Sequence, residues 1–132
     1  MGEAATAPTV GSGRHQRRLR NLLLDRHFQL KYSGFLVGAA ALTSDGRVIE
    51  GVNVENAAYP LGICAERAAL ARAVAEGVRP GEIEAIAITA SPCGGCRQWL
   101  HEFRLDRVTY RRARGEVVTR TPAEILPDSF DL

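Results

Sequence analysis

The sequence predicts an α/β domain, a three-layer α-β-α sandwich around a central mixed five-stranded sheet. Three observations lead there. At 132 residues and 14.3 kDa, the chain has room for a single core. Helix-periodic stretches alternate with short hydrophobic runs, the pattern of helices laid on the faces of a sheet. With 45% hydrophobic and 24% charged residues, the composition is that of an ordinary globular domain, which excludes wholesale disorder and fibrous repeats.

Residues 1–13, mostly Ala, Thr, Gly, Pro and Ser, offer little to bury and are expected to form a disordered tail, leaving residues 14–132 as the one domain. From Arg14 to Gln29, the leucines at 19, 22, 23 and 30 recur at helical spacing among arginines, so a first amphipathic helix is expected with a solvated basic face. Residues 35–43 and 47–51 flank Ser44-Asp45-Gly46, which reads as strand, Asp-Gly turn and strand. A second helix spans Ile63 to Glu76, rich in strong helix formers and stopped by Gly77. Residues 84–89 read as a short buried strand. Ser91-Pro92 then supplies an N-cap hydroxyl and a proline at the first helical position, which would put Cys93 and Cys96 on the opening turn of a third helix. A hairpin from Val108 to Thr119 turns around Arg114-Gly115, and Thr121-Pro-Ala-Glu124 is a capping-box start for a last short helix.

No apolar run approaches the roughly 18 residues a membrane span needs, and the first residues lack the basic-then-apolar layout of a secretory signal. A cytoplasmic protein with no membrane partner is therefore expected. Seventeen basic against fifteen acidic side chains give a net charge of +2, which does not demand a polyanionic partner. Aromatics are only 6% and are not interleaved with basic residues, which argues against stacking on single-stranded nucleic acid.

The three cysteines, Cys64, Cys93 and Cys96, are odd in number and carry no export signal ahead of them, which favours metal or catalysis over a disulfide framework. Cys93 and Cys96 are spaced i, i+3, so their sulfurs project from one helix face, and a helix N-terminus favours thiolates. A lone Cys-x-x-Cys is ambiguous between redox and zinc; a third thiol at another helix start, Cys64, tips the balance to zinc. No histidine completes the set: His101 would point roughly 140° and 80° away from Cys96 and Cys93 around an ideal helix, and His15 and His27 belong to the first helix. Structural zinc sites are closed by four protein ligands and catalytic ones keep a position for water, so three cysteines suggest an open site. Glu66, two residues beyond Cys64, suits a carboxylate beside that water. Three thiolates exceed the charge of the ion, and Arg67 is the candidate to offset them.

Cys64-Ala65-Glu66-Arg67 followed by Pro92-Cys93-Gly94-Gly95-Cys96-Arg97-Gln98 resembles the zinc-dependent cytidine deaminase family, in its small, three-cysteine, homotetrameric type. The resemblance runs in order through Tyr32-Ser33-Gly34-Phe35, Val37-Gly38-Ala39-Ala40, residues 51–59 and Leu126-Pro127-Asp-Ser-Phe130, and covers nearly everything from the first helix onward.

It implies one Zn²⁺ per chain held by Cys64, Cys93 and Cys96, activating a water for attack on C4 of a pyrimidine. Glu66 takes the place of the family's proton shuttle, moving a proton from that water to N3 and then assisting the departure of ammonia. The backbone N–H of Ala65 would hold the pyrimidine carbonyl, and the carbonyl of Ser91 would accept from the leaving amine. Asn53 and Glu55 match the pair that grips the ribose 3′-hydroxyl, and Phe35 matches an aromatic that packs on the base. Tyr59 and Phe130 match residues that family tetramers contribute to a neighbouring subunit's pocket.

One departure stands out. Cys64 and Cys93 are 29 positions apart, because the strand at 86–89 runs into Ser91-Pro92-Cys93 without the few extra loop residues usual in the family. That weakens the expectation of substrate identity more than that of metal binding. The leading expectation is hydrolytic deamination of cytidine or deoxycytidine. A specialised cytosine nucleoside such as blasticidin S is the alternative within the same chemistry. From another class comes a non-catalytic zinc or nucleic-acid-binding module using the arginines of the first helix and Arg111, Arg112 and Arg114.

Overall fold

The computed structural model describes residues 32–132. The expected tail and first helix, with His15 and His27, lie outside the described residues.

Alternation of buried residues builds the sheet. β1 (Gly38–Thr43) is buried along its whole length and sends Ala39 and Ala41 to one side, Ala40 and Leu42 to the other. β2 (Val48–Val52) returns beside it through a turn in which Gly46, at φ +89°, donates to the Thr43 carbonyl over 3.0 Å. β1 is shorter than expected. Residues 35–37 lie ahead of the ladder and are held instead by the Asn53 side chain.

β3 (Ile83–Ile88) pairs antiparallel with β1 and parallel with β4 (Arg107–Arg111), and β5 (Val117–Arg120) closes the edge antiparallel to β4. The order is β2-β1-β3-β4-β5, a mixed five-stranded sheet with β3 at its centre. The β4–β5 hairpin turns at Gly115, φ +96°.

Helix α1 (Ala65–Ala75) joins β2 to β3, and α2 (Gly94–Glu102) joins β3 to β4. Both bury side chains against the same sheet face: Ala65, Ala69, Leu70 and Ala73 from α1 and Leu100 from α2 meet Ile86, Ile88 and Val108. Small residues on α1 let it approach β2 closely, and Gly51 completes the fit. Gly77, at φ +90°, ends α1 as expected. The last short helix, α3 (Pro122–Ile125), begins with the expected capping box: Glu124 N–H donates to Thr121 Oγ1 over 3.2 Å, and Thr121 N–H donates to the Glu124 carboxylate over 2.9 Å.

The opposite face is smaller, with Ala40, Leu42, Ala85 and Ala87 buried and Val48 packed against them. Among the described residues no helix contributes to the buried cluster on this face.

Two helix starts differ from expectation. Ile63 is not in α1 but pairs with Val54 in an isolated bridge, and Cys64 is the N-cap. α2 starts after Cys93, not at Pro92: Cys93 is the extended N-cap, at φ −70° and ψ 168°. The Ser91 hydroxyl does not cap the helix; it accepts from Arg97 Nη2 over 3.4 Å. Arg97 also donates to the Pro92 carbonyl over 2.9 Å and to the Ile125 carbonyl over 2.9 Å, tying the approach to α2 to the C-terminal helix. Among the described residues no helix is long and apolar enough to cross a membrane.

Candidate active site and metal centre

The N-termini of α1 and α2 open side by side at the carboxyl end of β3, and each carries a cysteine at its N-cap. Neither sulfur makes a capping hydrogen bond, so both are left facing each other, 3.9 Å apart. Cys96, one turn into α2 and fully buried, places its sulfur 3.4 Å from that of Cys93. All three sulfurs lie within 4.8 Å of one another. Three sulfurs bound to one zinc at ~2.3 Å in tetrahedral geometry would be roughly 3.8 Å apart, so the spacing fits the ion.

The electrostatics fit it too. Positive helix ends meet at the cluster. Burial pushes the Cys93 thiol up, but hydrogen bonds from Cys96 and Cys64 outweigh it and hold the thiol below its usual range. Cys96 is driven far up, by burial first and then by the Glu66 carboxylate and the neighbouring sulfurs. A crowd of potential anions of this kind is relieved by a cation at its centre. Arg67 Nη2 donates to Cys64 Sγ over 3.6 Å, while its buried Nε has no hydrogen-bond partner among the described residues.

Glu66 is 3% exposed, on the first turn of α1. Burial holds its carboxyl above the usual carboxylate range, against its own backbone N–H, Cys96 and Arg67, which favour the charged form. His101 stays away from the cluster, as its helical angle implies: its Nε2 is 2.8 Å from Asp131 Oδ1 and 3.1 Å from Ser129 Oγ.

A cavity of about 510 Å³ opens on the sulfurs. Of the residues singled out in the sequence, Cys64, Ala65, Glu66, Arg67, Ser91 and Cys93 line its metal end, and Phe35, Asn53, Glu55 and Tyr59 line the rest. Phe130 lies outside this cavity and is 67% exposed, its carbonyl accepting from Gln98 Nε2 over 2.8 Å. Tyr59, expected to serve a neighbouring subunit, borders this chain's own cavity from a one-turn 3₁₀ segment (Tyr59–Leu61).

Residues 14–112 match the family described as the cytidine and deoxycytidylate deaminase zinc-binding region. The chain belongs to this deaminase family. It is 42% identical over 107 residues to the cytidine deaminase of Sporosarcina psychrophila, covering 75% of this chain and 77% of that protein. The crystal structure of cytidine deaminase from Burkholderia pseudomallei superposes with a TM-score of 0.75 at 40% identity, over 88% of this chain and 98% of that one. A blasticidin-S deaminase from Bacillus cereus is more distant, at 28% identity over 69% of this chain and 74% of the relative. Family membership makes the cysteine cluster a zinc site of known kind, and the sulfur geometry agrees with it.

Two residues of this deaminase site carried no assigned role in the sequence. Ser33 lines the cavity and binds the Glu55 carboxylate. Arg97 fixes the Ser91-Pro92 approach whose carbonyl was expected to face the leaving amine. Both stand in segments that carry the family resemblance; the Glu55 partner of Ser33 is 22 positions away, a separation no local pattern reveals, whereas Arg97 reaches Pro92 and Ser91 from five and six positions on and Ile125 from 28 positions before it.

Proposed function

We propose that this chain is a zinc-dependent hydrolase that converts cytidine or deoxycytidine and water to the uracil nucleoside and ammonia. One observation carries the reading: the three-sulfur cluster, the buried Glu66 and the polar pair Asn53 and Glu55 all serve one cavity of about 510 Å³, a volume suited to a nucleoside. Held by Cys64, Cys93 and Cys96, the zinc would lower the pKa of water enough to supply a nucleophile at neutral pH.

The chain's own residues do the rest. As the carboxylate, Glu66 takes a proton from the attacking water and delivers it to ring N3, then takes the hydroxyl proton of the C4 adduct and passes it to the departing amine as the carbonyl forms; burial, which raises its proton affinity, suits it to hold the proton between these steps. The Ala65 N–H at the start of α1 holds the pyrimidine carbonyl, and the Ser91 carbonyl accepts from the leaving amine. Phe35 covers the base, and Asn53 with Glu55 holds the sugar hydroxyl. Arg67 offsets the negative charge of the thiolates.

Phe130 is exposed and outside its own chain's cavity, which supports a homotetramer in which it completes a neighbour's pocket. A cytoplasmic setting agrees with three unpaired thiols.

The test is direct. Zinc-loaded protein is offered cytidine, deoxycytidine, cytosine, adenosine, guanine and blasticidin S while ultraviolet absorbance and ammonia are followed, and the series is repeated with Glu66→Ala. Turnover of the cytosine nucleosides, abolished in Glu66→Ala, is expected; no turnover despite one zinc per chain would sink the proposal. Preference for blasticidin S would assign the specialised substrate. Sedimentation at several concentrations tests the assembly, and a fully active monomer would overturn the shared pocket.

A further inference from the structure

We infer that Ser33 is a positioning residue of the nucleoside site, holding the Glu55 carboxylate and the Phe35 wall in one hydrogen-bonded ring. The inference rests on reading the cavity as a nucleoside site and adds a residue to it.

The ring can be followed atom by atom. Ser33 N–H donates to Glu55 Oε1 over 2.9 Å, and the Ser33 hydroxyl donates to Glu55 Oε2. The same hydroxyl oxygen accepts the N–H of Phe35 over 3.1 Å. Gly34, at φ +69°, makes the turn that lets Phe35 reach back to it. From the other side, Asn53 Nδ2 donates to the Phe35 carbonyl over 2.8 Å and to Glu55 Oε2 over 3.3 Å, and Asn53 Oδ1 accepts the Val37 N–H over 3.0 Å. Sequence segments on either side of the β1–β2 hairpin are thereby closed on one another.

Counting donors and acceptors shows what the ring leaves for a ligand. Both hydrogens of the Asn53 amide are spent, on Phe35 and Glu55. Glu55 Oε2 accepts the Ser33 hydroxyl and the Asn53 amide, Oε1 accepts the Ser33 N–H, and the Tyr32 backbone N–H donates to the same carboxylate. Asn53 Oδ1 accepts one donor and keeps a lone pair. The pre-formed site therefore presents fixed oxygen acceptors to a sugar hydroxyl that donates, Asn53 Oδ1 with its remaining lone pair and the charged Glu55 carboxylate beside it. Glu55 is a half-buried side chain with several rotatable bonds, and without its fixed donors it would have to lose rotamer freedom at each binding event. Ser33 removes that cost before the substrate arrives. Its hydrogen bonds also hold the Glu55 carboxyl below its usual range.

The experiment compares Ser33→Ala and Ser33→Thr with the unmodified zinc-loaded enzyme on cytidine and on 3′-deoxycytidine. For Ser33→Ala, KM for cytidine is expected to rise about tenfold more than KM for 3′-deoxycytidine, with kcat changed less than about threefold, since losing a hydrogen bond to a charged group is worth about that much. Any rise common to both substrates reports the Phe35 loop. Ser33→Thr, which keeps the hydroxyl, is expected to restore the cytidine KM. An independent readout is the Glu55 carboxyl titration by NMR: it moves up in Ser33→Ala and returns in Ser33→Thr. Equal penalties on the two substrates, a loss confined to kcat, or an unmoved Glu55 titration overturns the inference while leaving the deaminase reading intact. An unmodified enzyme that turns over neither nucleoside overturns both.

Discussion

Gly51 on β2 and Ala69 on α1 meet backbone to backbone: a Cβ on Gly51 would lie 2.4 Å from the Ala69 nitrogen and 2.6 Å from the Ala65 carbonyl oxygen. Neither neighbour is a flexible side-chain end that can swing aside. Gly51→Ala is expected to push α1 off the sheet, costing roughly 1–3 kcal/mol as overpacking does, and to displace Cys64 and Glu66 with it. Calorimetry should show a lowered Tm and metal analysis less than one zinc per chain; unchanged values for both would contradict the contact.

Glu66→Gln keeps the shape of the side chain but cannot carry a proton. Activity should fall about 10²- to 10⁴-fold, the usual loss for a general acid–base group, with zinc content and Tm preserved. Ammonia release beside metal analysis separates this from a variant that has lost its ion.

Removal of the guanidinium that faces Cys64 Sγ at 3.6 Å leaves the thiolate charge uncompensated. Arg67→Gln is expected to retain zinc and to lose about tenfold or more in kcat/KM, the scale of a charge-assisted hydrogen bond. Full activity would show that the thiolates need no cation from the protein.

In the β1–β2 turn, the Thr43 hydroxyl and then the Arg47 side chain bind Asp45 and lower its pKa from 3.8 to about 2. A carboxylate depressed on folding adds stability at pH values above its unfolded pKa, and the contribution fades as the pH falls from about 4 toward 2. Asp45→Asn should flatten that part of the acid-side Tm profile. Parallel profiles in the two proteins would mean the turn bonds add nothing measurable.

The C-terminal residues are pinned to α2, with the Phe130 carbonyl on Gln98 and Asp131 on His101 at 2.8 Å each. The double variant Gln98→Ala/His101→Ala is expected to raise hydrogen exchange at 128–132 without altering the zinc content. If Phe130 completes a neighbour's pocket, KM rises in the same variant; protection equal to that of the unmodified chain would count against the latch.

What could be read from the sequence was whatever a short window encodes. The hydrophobic strand over 38–43, the Asp-Gly turn, the Ala-rich α1 ending at Gly77 and the Thr121–Glu124 capping box are all local, and all are found. Cys64, Cys93 and Cys96 were legible as a cluster because two short motifs each declare a helix start, and the chain folds those starts together. The start of α2 was misread for a physical reason: Ser91-Pro92 has the chemistry of a cap, but Arg97 consumes the hydroxyl and the Pro92 carbonyl from one turn inside the helix. Ser33 and Gly51 act across the fold, as Arg97 does where it reaches the Ile125 carbonyl, through groups that no pattern in their own neighbourhood specifies.

Cys64 stands before β3 and both other cysteines after it, so an ion bound to all three would close a covalent-like loop around the central strand of the sheet. Such a clip restricts the unfolded chain as well as supplying chemistry, because the loop of 29 positions between Cys64 and Cys93 can no longer open freely. Metal occupancy and fold stability then become linked quantities: chelation should lower Tm as well as activity, and zinc should act as the staple that lets so small a core work with a cavity cut into it.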